Sequence, residues 1–256
     1  MLFKESLFIG IDPPSGAKSL TYAALDQDLN LVALSKGDLS EVSAFVGGQK
    51  AAFVGINAPR RLNQGLMKKD AVRERLTPQP NPGRWIAFRV AEYLLFQLNI
   101  RIPKTSDKLM DCPGWMKNGF TLYRLLEELG FKDYPAGDCK KQLLEVYPHA
   151  AFTVLLKRIP YLKKTLEGRL QRQLLLHSLS VEVPDPMRVF EEITRYKIIQ
   201  GQIPLDGLYS VEELEAIIAA YLAWKVASEP DEITLVGDPK EGAIVVPAVK
   251  LKTKYY

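Results

Sequence analysis

The sequence predicts one α/β domain over 1–256: a mixed sheet flanked by helices, with a largely helical insertion at about 60–140, after the fourth strand. Three observations lead there. Short apolar runs stop at prolines, as in "LFIGIDPP" and "AAFVGINAP", which is how buried strands end. A short helical segment sits between the third and fourth of the predicted strands, and such a strand–helix–strand unit favours parallel pairing. Between the fourth strand and the next apolar run lie about eighty residues, polar and basic at first, then helical in period.

The elements follow in order. Strands are predicted at about 6–12, 19–26 and 29–36, the last two joined by the polar link Asp26-Gln27-Asp28, a hairpin signal. Asp38 or Ser40 caps a short helix that Gly47-Gly48 ends. The fourth strand, 51–59, ends in a polar residue, Asn57, as the first ends in Asp12. Residues 60–81 read as a long loop with a short helix near 68–76, and helices are predicted at 84–100 and 118–130. "QLLEVYP" at 142–148 is a fifth strand carrying Glu145. Helices near 149–157, 160–178 and 185–200 follow, then one starting at Ser210, where Glu213 completes a capping box. Alanines along it suit close packing on a sheet. A turn at Asp238-Pro239-Lys240 leads into a last strand, "GAIVVPAV".

Composition narrows the function classes. The chain has 256 residues, 47% apolar and 25% charged, with a net charge of +4, the profile of an ordinary globular protein. No stretch approaches the ~18 apolar residues of a membrane span, and the N-terminus lacks a signal peptide's cleavage region, so no membrane partner and a cytoplasmic location are expected. Cys112 and Cys139 form no CxxC and no zinc spacing. Walker A, GxSxG and HExxH motifs are absent. Charge is uneven: Arg60 to Lys108 holds eleven Lys or Arg against four acids, a local excess of +7. Such a segment either approaches phosphates or forms a salt-bridged surface.

Several pieces carry a resemblance. They are "GIDPPSG" (10–16), "VGINAPRRL" (54–62), "RVAEYLLFQLNIRIPKT" (89–105), "GFTLYRLLEELGFKDYP" (119–135), "LLEVYPHAAF" (143–152), "KKTLEGRLQRQLLL" (163–176), "EELEAIIAAYLAW" (212–224) and "EGAIVVP" (241–247). In this order they resemble the domain-of-unknown-function 429 family, whose members are predicted nucleases with an RNase H-like fold. The resemblance implies a Mg²⁺- or Mn²⁺-dependent centre acting on nucleic acid or another phosphodiester. Two such ions stabilise the attacking and leaving oxygens of the displacement, and hard cations require converging oxygen ligands. Carried over by position, Asp12, Glu145 and Glu215 would hold the metal, with Glu212 one helical turn from Glu215 assisting and Asn57 beside them. Arg60 and Arg61 would meet the substrate backbone. Glu241 also matches a family position, without an evident role.

One departure divides the functional reading. The family reads "GIDAP" where this chain has "GINAP". Asn57 has the shape of Asp without its charge and cannot bridge two ions as a carboxylate does. The expectation is therefore a nuclease-like phosphodiesterase with impaired activity. The alternative is a non-catalytic nucleic-acid-binding or scaffolding module on the same fold. Each candidate also has a structural explanation: Asp12 as a turn cap, Glu212 and Glu215 as helix-start acids, Glu145 as the partner of a buried base. His149, after Pro148, is either an acid–base group or a helix-start residue without a task.

Overall fold

A computed structural model describes residues 6–16 and 19–256. Residues 1–5, part of the N-terminal stretch expected to lack a leader, and Ala17-Lys18 lie outside the described residues.

The chain opens with an antiparallel meander: β1 (Leu7–Asp12), β2 (Leu20–Leu25) and β3 (Leu31–Gly37). α1 (Leu39–Gly47) starts at Asp38, whose side chain accepts from the Ser40 and Glu41 amides. β4 (Ala52–Ile56) then pairs parallel with β1. The insertion supplies α2 (Asp70–Arg73), α3 (Pro82–Trp85), α4 (Val90–Gln97), α5 (Gly114–Glu128) and the two-residue β5 (Lys132–Asp133). Next come β6 (Lys141–Val146), α6 (Pro148–Leu156), α7 (Leu166–Ser178), α8 (Arg188–Glu192), α9 (Arg195–Ile199) and α10 (Val211–Ser228). A hairpin of β7 (Thr234–Asp238) and β8 (Gly242–Val246) ends the sheet, whose order is β3-β2-β1-β4-β6-β8-β7 with β5 on β6. An antiparallel meander whose first strand continues into parallel β4 and β6 is consistent with an RNase H-like arrangement.

Three predicted helices differ, and one strand was not predicted. The helix expected at 84–100 is two, because Arg89 is extended (φ −73°, ψ 159°) and its amide donates to Glu92 rather than up a helix. The helix expected at 160–178 begins only at Leu166, where Thr165 caps it by accepting from Gly168. The one at 185–200 is α8 and α9, separated at Ile193-Thr194. β7, not predicted, was legible: "ITLV" is a β-branched run ending in Gly237-Asp238.

α10 determines where chemistry occurs. Apart from Glu215 it is apolar on all sides and buried from Leu214 to Ala223, as a helix enclosed by other layers must be. It crosses β1, β2 and β4. Close approach requires glycine beneath it: a Cβ on Gly10 would lie 2.0 Å from the Ala216 carbonyl oxygen, and one on Gly55 2.6 Å from that of Ala219. Gly10 and Gly55 are register partners. Strand alternation therefore directs the residues two positions on, Asp12 and Asn57, to the same face. The opposite face packs Ile9, Ile11, Val54, Ile56 and Leu143 against Val42 and Val46 of α1 and Leu122 and Leu126 of α5.

Candidate active site

Asp12 closes β1, and Asn57 follows β4 directly, its amide donating to the Ile11 carbonyl at 2.9 Å. The Asn57 side-chain amide donates to Asp12 Oδ1 at 2.7 Å and to Glu215 Oε2 at 3.3 Å. The two carboxylate oxygens thus lie no more than 6.0 Å apart, around one nitrogen. Glu215 reaches them from the first turns of α10, just before Ala216 settles over Gly10. Its other oxygen, Oε1, accepts from Lys163 Nζ at 2.6 Å.

The electrostatics follow from burial. Asp12 is 8% exposed and Glu215 7%. Burial first, then the Glu215 charge, with a smaller push from Glu212, raise the Asp12 carboxyl to about 8; Asn57 and Lys163 oppose the rise. Two carboxylates close together in a poorly solvated site disfavour joint ionisation. A proton, or a cation, relieves them.

A cleft of about 950 Å³ opens above this centre. Asp12, Asn57 and Glu215 lie in it with Glu212, which is exposed on the rim. Lys36, Lys163, Lys164 and Arg169 line its walls. Arg169 donates to the Leu208 and Tyr209 carbonyls; among the described residues only Lys163 of these four is ion-paired. Trp115 and Tyr147 complete the walls, and burial beside Glu215 keeps the Tyr147 hydroxyl protonated. His149 has its ring 6.0 Å from that of Tyr147. Burial, with Arg172 and Lys163 near it, pushes His149 down to about 4, so it is neutral at pH 7.

The structure does not bring Glu145 to this centre. Glu145 is the register partner of Ile56, one residue before Asn57, and a one-residue offset sends a side chain to the other face. There it meets Arg89, at 2.6 and 3.0 Å, and the Arg60 amide, at 2.9 Å. Arg89, 1% exposed, also binds Glu92 at 3.0 Å. Glu241 joins the same layer as a strap: it accepts from the Gln64, Leu66 and Val90 amides at 3.0–3.1 Å. Of the three expected ligands the structure brings together Asp12 and Glu215, with Asn57 between them, and holds Glu145 on Arg89 instead.

Arg60 and Arg61 are elsewhere too. Arg60 lies over Tyr123 and pairs with Glu127 and Asp133; Arg61 pairs with Asp133 at 3.1 Å. Among the described residues, five of the eleven basic residues at 60–108 are thus ion-paired, with Arg73–Asp70, Lys68–Asp107 and Arg89–Glu145 completing the set. The basic groups facing the cleft come from β3, the loop before α7, and α7 itself. Reading 160–178 as continuous helix hid the loop. Pro160 and the Thr165-Leu166-Glu167 start signal were the cues for it.

Fold and site together define an α/β protein with an acid–amide centre at the C-terminal edge of parallel strands, under a basic-walled cleft. Sequence comparison agrees with the resemblance seen in the motifs. The model of the family described as protein of unknown function (DUF429) matches residues 8–241, nearly the whole chain, and the protein belongs to that family. No curated protein and no solved structure gives a significant match.

Proposed function

We propose that the cleft is a divalent-metal-dependent phosphodiesterase centre acting on nucleic acid. The observation that carries this reading is the meeting of two buried carboxylates around Asn57 beneath three walls bearing cations. Among the described residues no three His, Cys, Asp or Glu side chains gather as a metal cluster. The donor set is two carboxylates and an amide oxygen, which suits Mg²⁺ or Mn²⁺: such ions keep several waters and take only one or two carboxylates plus substrate phosphate. It suits one ion better than two.

Asp12 and Glu215 would hold the ion, with Asn57 turned to offer its oxygen. When bound, such an ion would supply Lewis acidity toward the phosphodiester and make water more acidic. The chain's own part is to place the phosphodiester. Lys36, Lys164 and Arg169 neutralise its charge, and Trp115 offers a flat apolar surface to a base or sugar. Glu212, the exposed carboxylate on the rim, would accept the proton of the attacking water. The new P–O bond forms as the ester P–O bond opposite it breaks, and the leaving alkoxide takes up a proton from solvent.

A second reading has its own observation: neutral Asn57 in place of a carboxylate, and an ammonium already seated on Glu215. It describes a nucleic-acid-binding module without chemistry. Cleavage of single- and double-stranded DNA and RNA, with Mn²⁺ or EDTA, separates the two. Mn²⁺-dependent cleavage by the wild type that Asp12→Asn abolishes supports the enzyme. Equal rates in the two proteins sink it, and binding without cleavage selects the module.

A further inference from the structure

The feature that the metal-site reading leaves unexplained is Lys163. It is 47% exposed by side chain, yet its ammonium is held at 2.6 Å from Glu215. The loop that carries it is fixed. The Tyr161 amide donates to Gln171 at 2.8 Å, and Arg172 donates to the Tyr161 carbonyl at 2.9 Å. Gly168 lets the loop lie on the first turn of α7, since a Cβ there would be 1.9 Å from the Leu162 carbonyl oxygen. Tyr161 and Leu162 are thus anchored immediately before Lys163, and Thr165 caps the helix immediately after Lys164. Such anchoring presents a flexible ammonium at a set position above the acid centre.

We infer that Lys163 is a tethered counter-cation that competes with the divalent ion for Glu215, and that an entering ion displaces its ammonium onto the anion-binding wall formed by Lys36, Lys164 and Arg169. The inference rests on the metal-site reading above and adds a residue to it. An ion on Glu215 Oε2, the oxygen turned toward Asp12 and Asn57, shares one carboxylate with the ammonium held at 2.6 Å on Oε1, and the repulsion between the two cations falls only as the ammonium swings away. The four-carbon stem of lysine permits that swing at little cost. The displaced charge then adds to the wall that meets phosphate. Metal entry and anion binding are coupled through one side chain, and the coupling is reciprocal.

Two measurements test it. The first is Mn²⁺ affinity by isothermal titration calorimetry for the wild type, Lys163→Gln and Lys164→Gln. Lys163→Gln is expected to bind Mn²⁺ at least about tenfold more tightly than the wild type, the scale of removing a like charge a few ångströms from the ion. Lys164→Gln, which alters the charge of the same cleft without touching Glu215, is expected to change affinity by far less. If the wild type binds Mn²⁺ and Lys163→Gln binds it no better, the counter-cation role is overturned while the metal site stands. If neither binds Mn²⁺ at millimolar concentration, both ideas are overturned. The second needs no variant. Acetylation rates of Lys163 and Lys164, followed by peptide mass spectrometry, are compared with Mn²⁺ and with EDTA. The Lys163/Lys164 rate ratio is expected to rise severalfold on adding Mn²⁺; a constant ratio in protein that binds Mn²⁺ overturns the displacement.

Discussion

Replacing Asp12 by Asn is expected to stabilise the EDTA-treated protein more at pH 8 than at pH 5, although it removes a residue of the candidate site. The Asp12 carboxyl ionises near 3.8 in an unfolded chain and at about 8 in the fold, because it is buried beside Glu215. A raised folded value means that the unfolded chain releases its proton first. Stability from this group is complete below about pH 3.8 and is lost as pH rises through about 8. Each unit of difference is worth ~1.4 kcal/mol. Between pH 5 and pH 8 the wild type should therefore lose about 2–4 kcal/mol that Asp12→Asn, which carries no titrating proton there, keeps. Asn at this position still accepts the Asn57 hydrogen bond, so packing is conserved. The assay is urea unfolding of both proteins at the two pH values, read by tryptophan fluorescence and by far-UV circular dichroism. Mn²⁺ added at pH 8 should restore the wild type and leave Asp12→Asn unmoved, as expected for a ligand that binds only the folded form. A stability gap between the two proteins that is the same at pH 5 and pH 8 would refute the raised Asp12 carboxyl, and with it the burial of Asp12 beside Glu215.

Three further outcomes follow from the geometry. Glu145→Gln should destabilise the fold by about 3–5 kcal/mol, because Arg89 keeps a buried charge with one partner removed, yet leave Mn²⁺ affinity unchanged; calorimetric loss of Mn²⁺ binding in a folded Glu145→Gln protein would return Glu145 to the centre. Asn57→Asp should lower stability in EDTA at pH 8, by crowding a third carboxylate against Asp12 and Glu215, and should tighten Mn²⁺ binding; thermal melting with and without Mn²⁺ reads both effects. Gly55→Ala should cost about 3 kcal/mol or more, since its Cβ would meet the Ala219 carbonyl oxygen of α10 at 2.6 Å and backbone must shift; a chemical melt equal to wild type would mean that α10 does not lie so close to β4.

Much of the architecture was legible because its signals are local. The apolar runs ending in Pro13 and Pro59 marked β1 and β4, and Ser210 with Glu213 marked the start of α10, where both capping hydrogen bonds form. The errors were local too. Arg89 ended a helix early because its amide and guanidinium serve Glu92 and Glu145, partners 3 and 56 residues away. The loop holding Lys163 depends on Leu162 resting against Gly168, a contact that helical periodicity does not report.

For the candidate site, the order of residues along the chain determined Asp12 and Asn57 as a pair, since each stands two positions after a glycine in its strand and alternation does the rest. It also marked Glu215 as a carboxylate at the start of a long apolar helix. What only the tertiary structure decided was the register of β6 against β4. That register turns Glu145 away toward Arg89 and leaves Lys163 as the group facing Glu215. The physical reason is that a strand's chemistry depends on the parity of its pairing with its neighbour, and parity is set by the packing of whole layers rather than by any residue read alone.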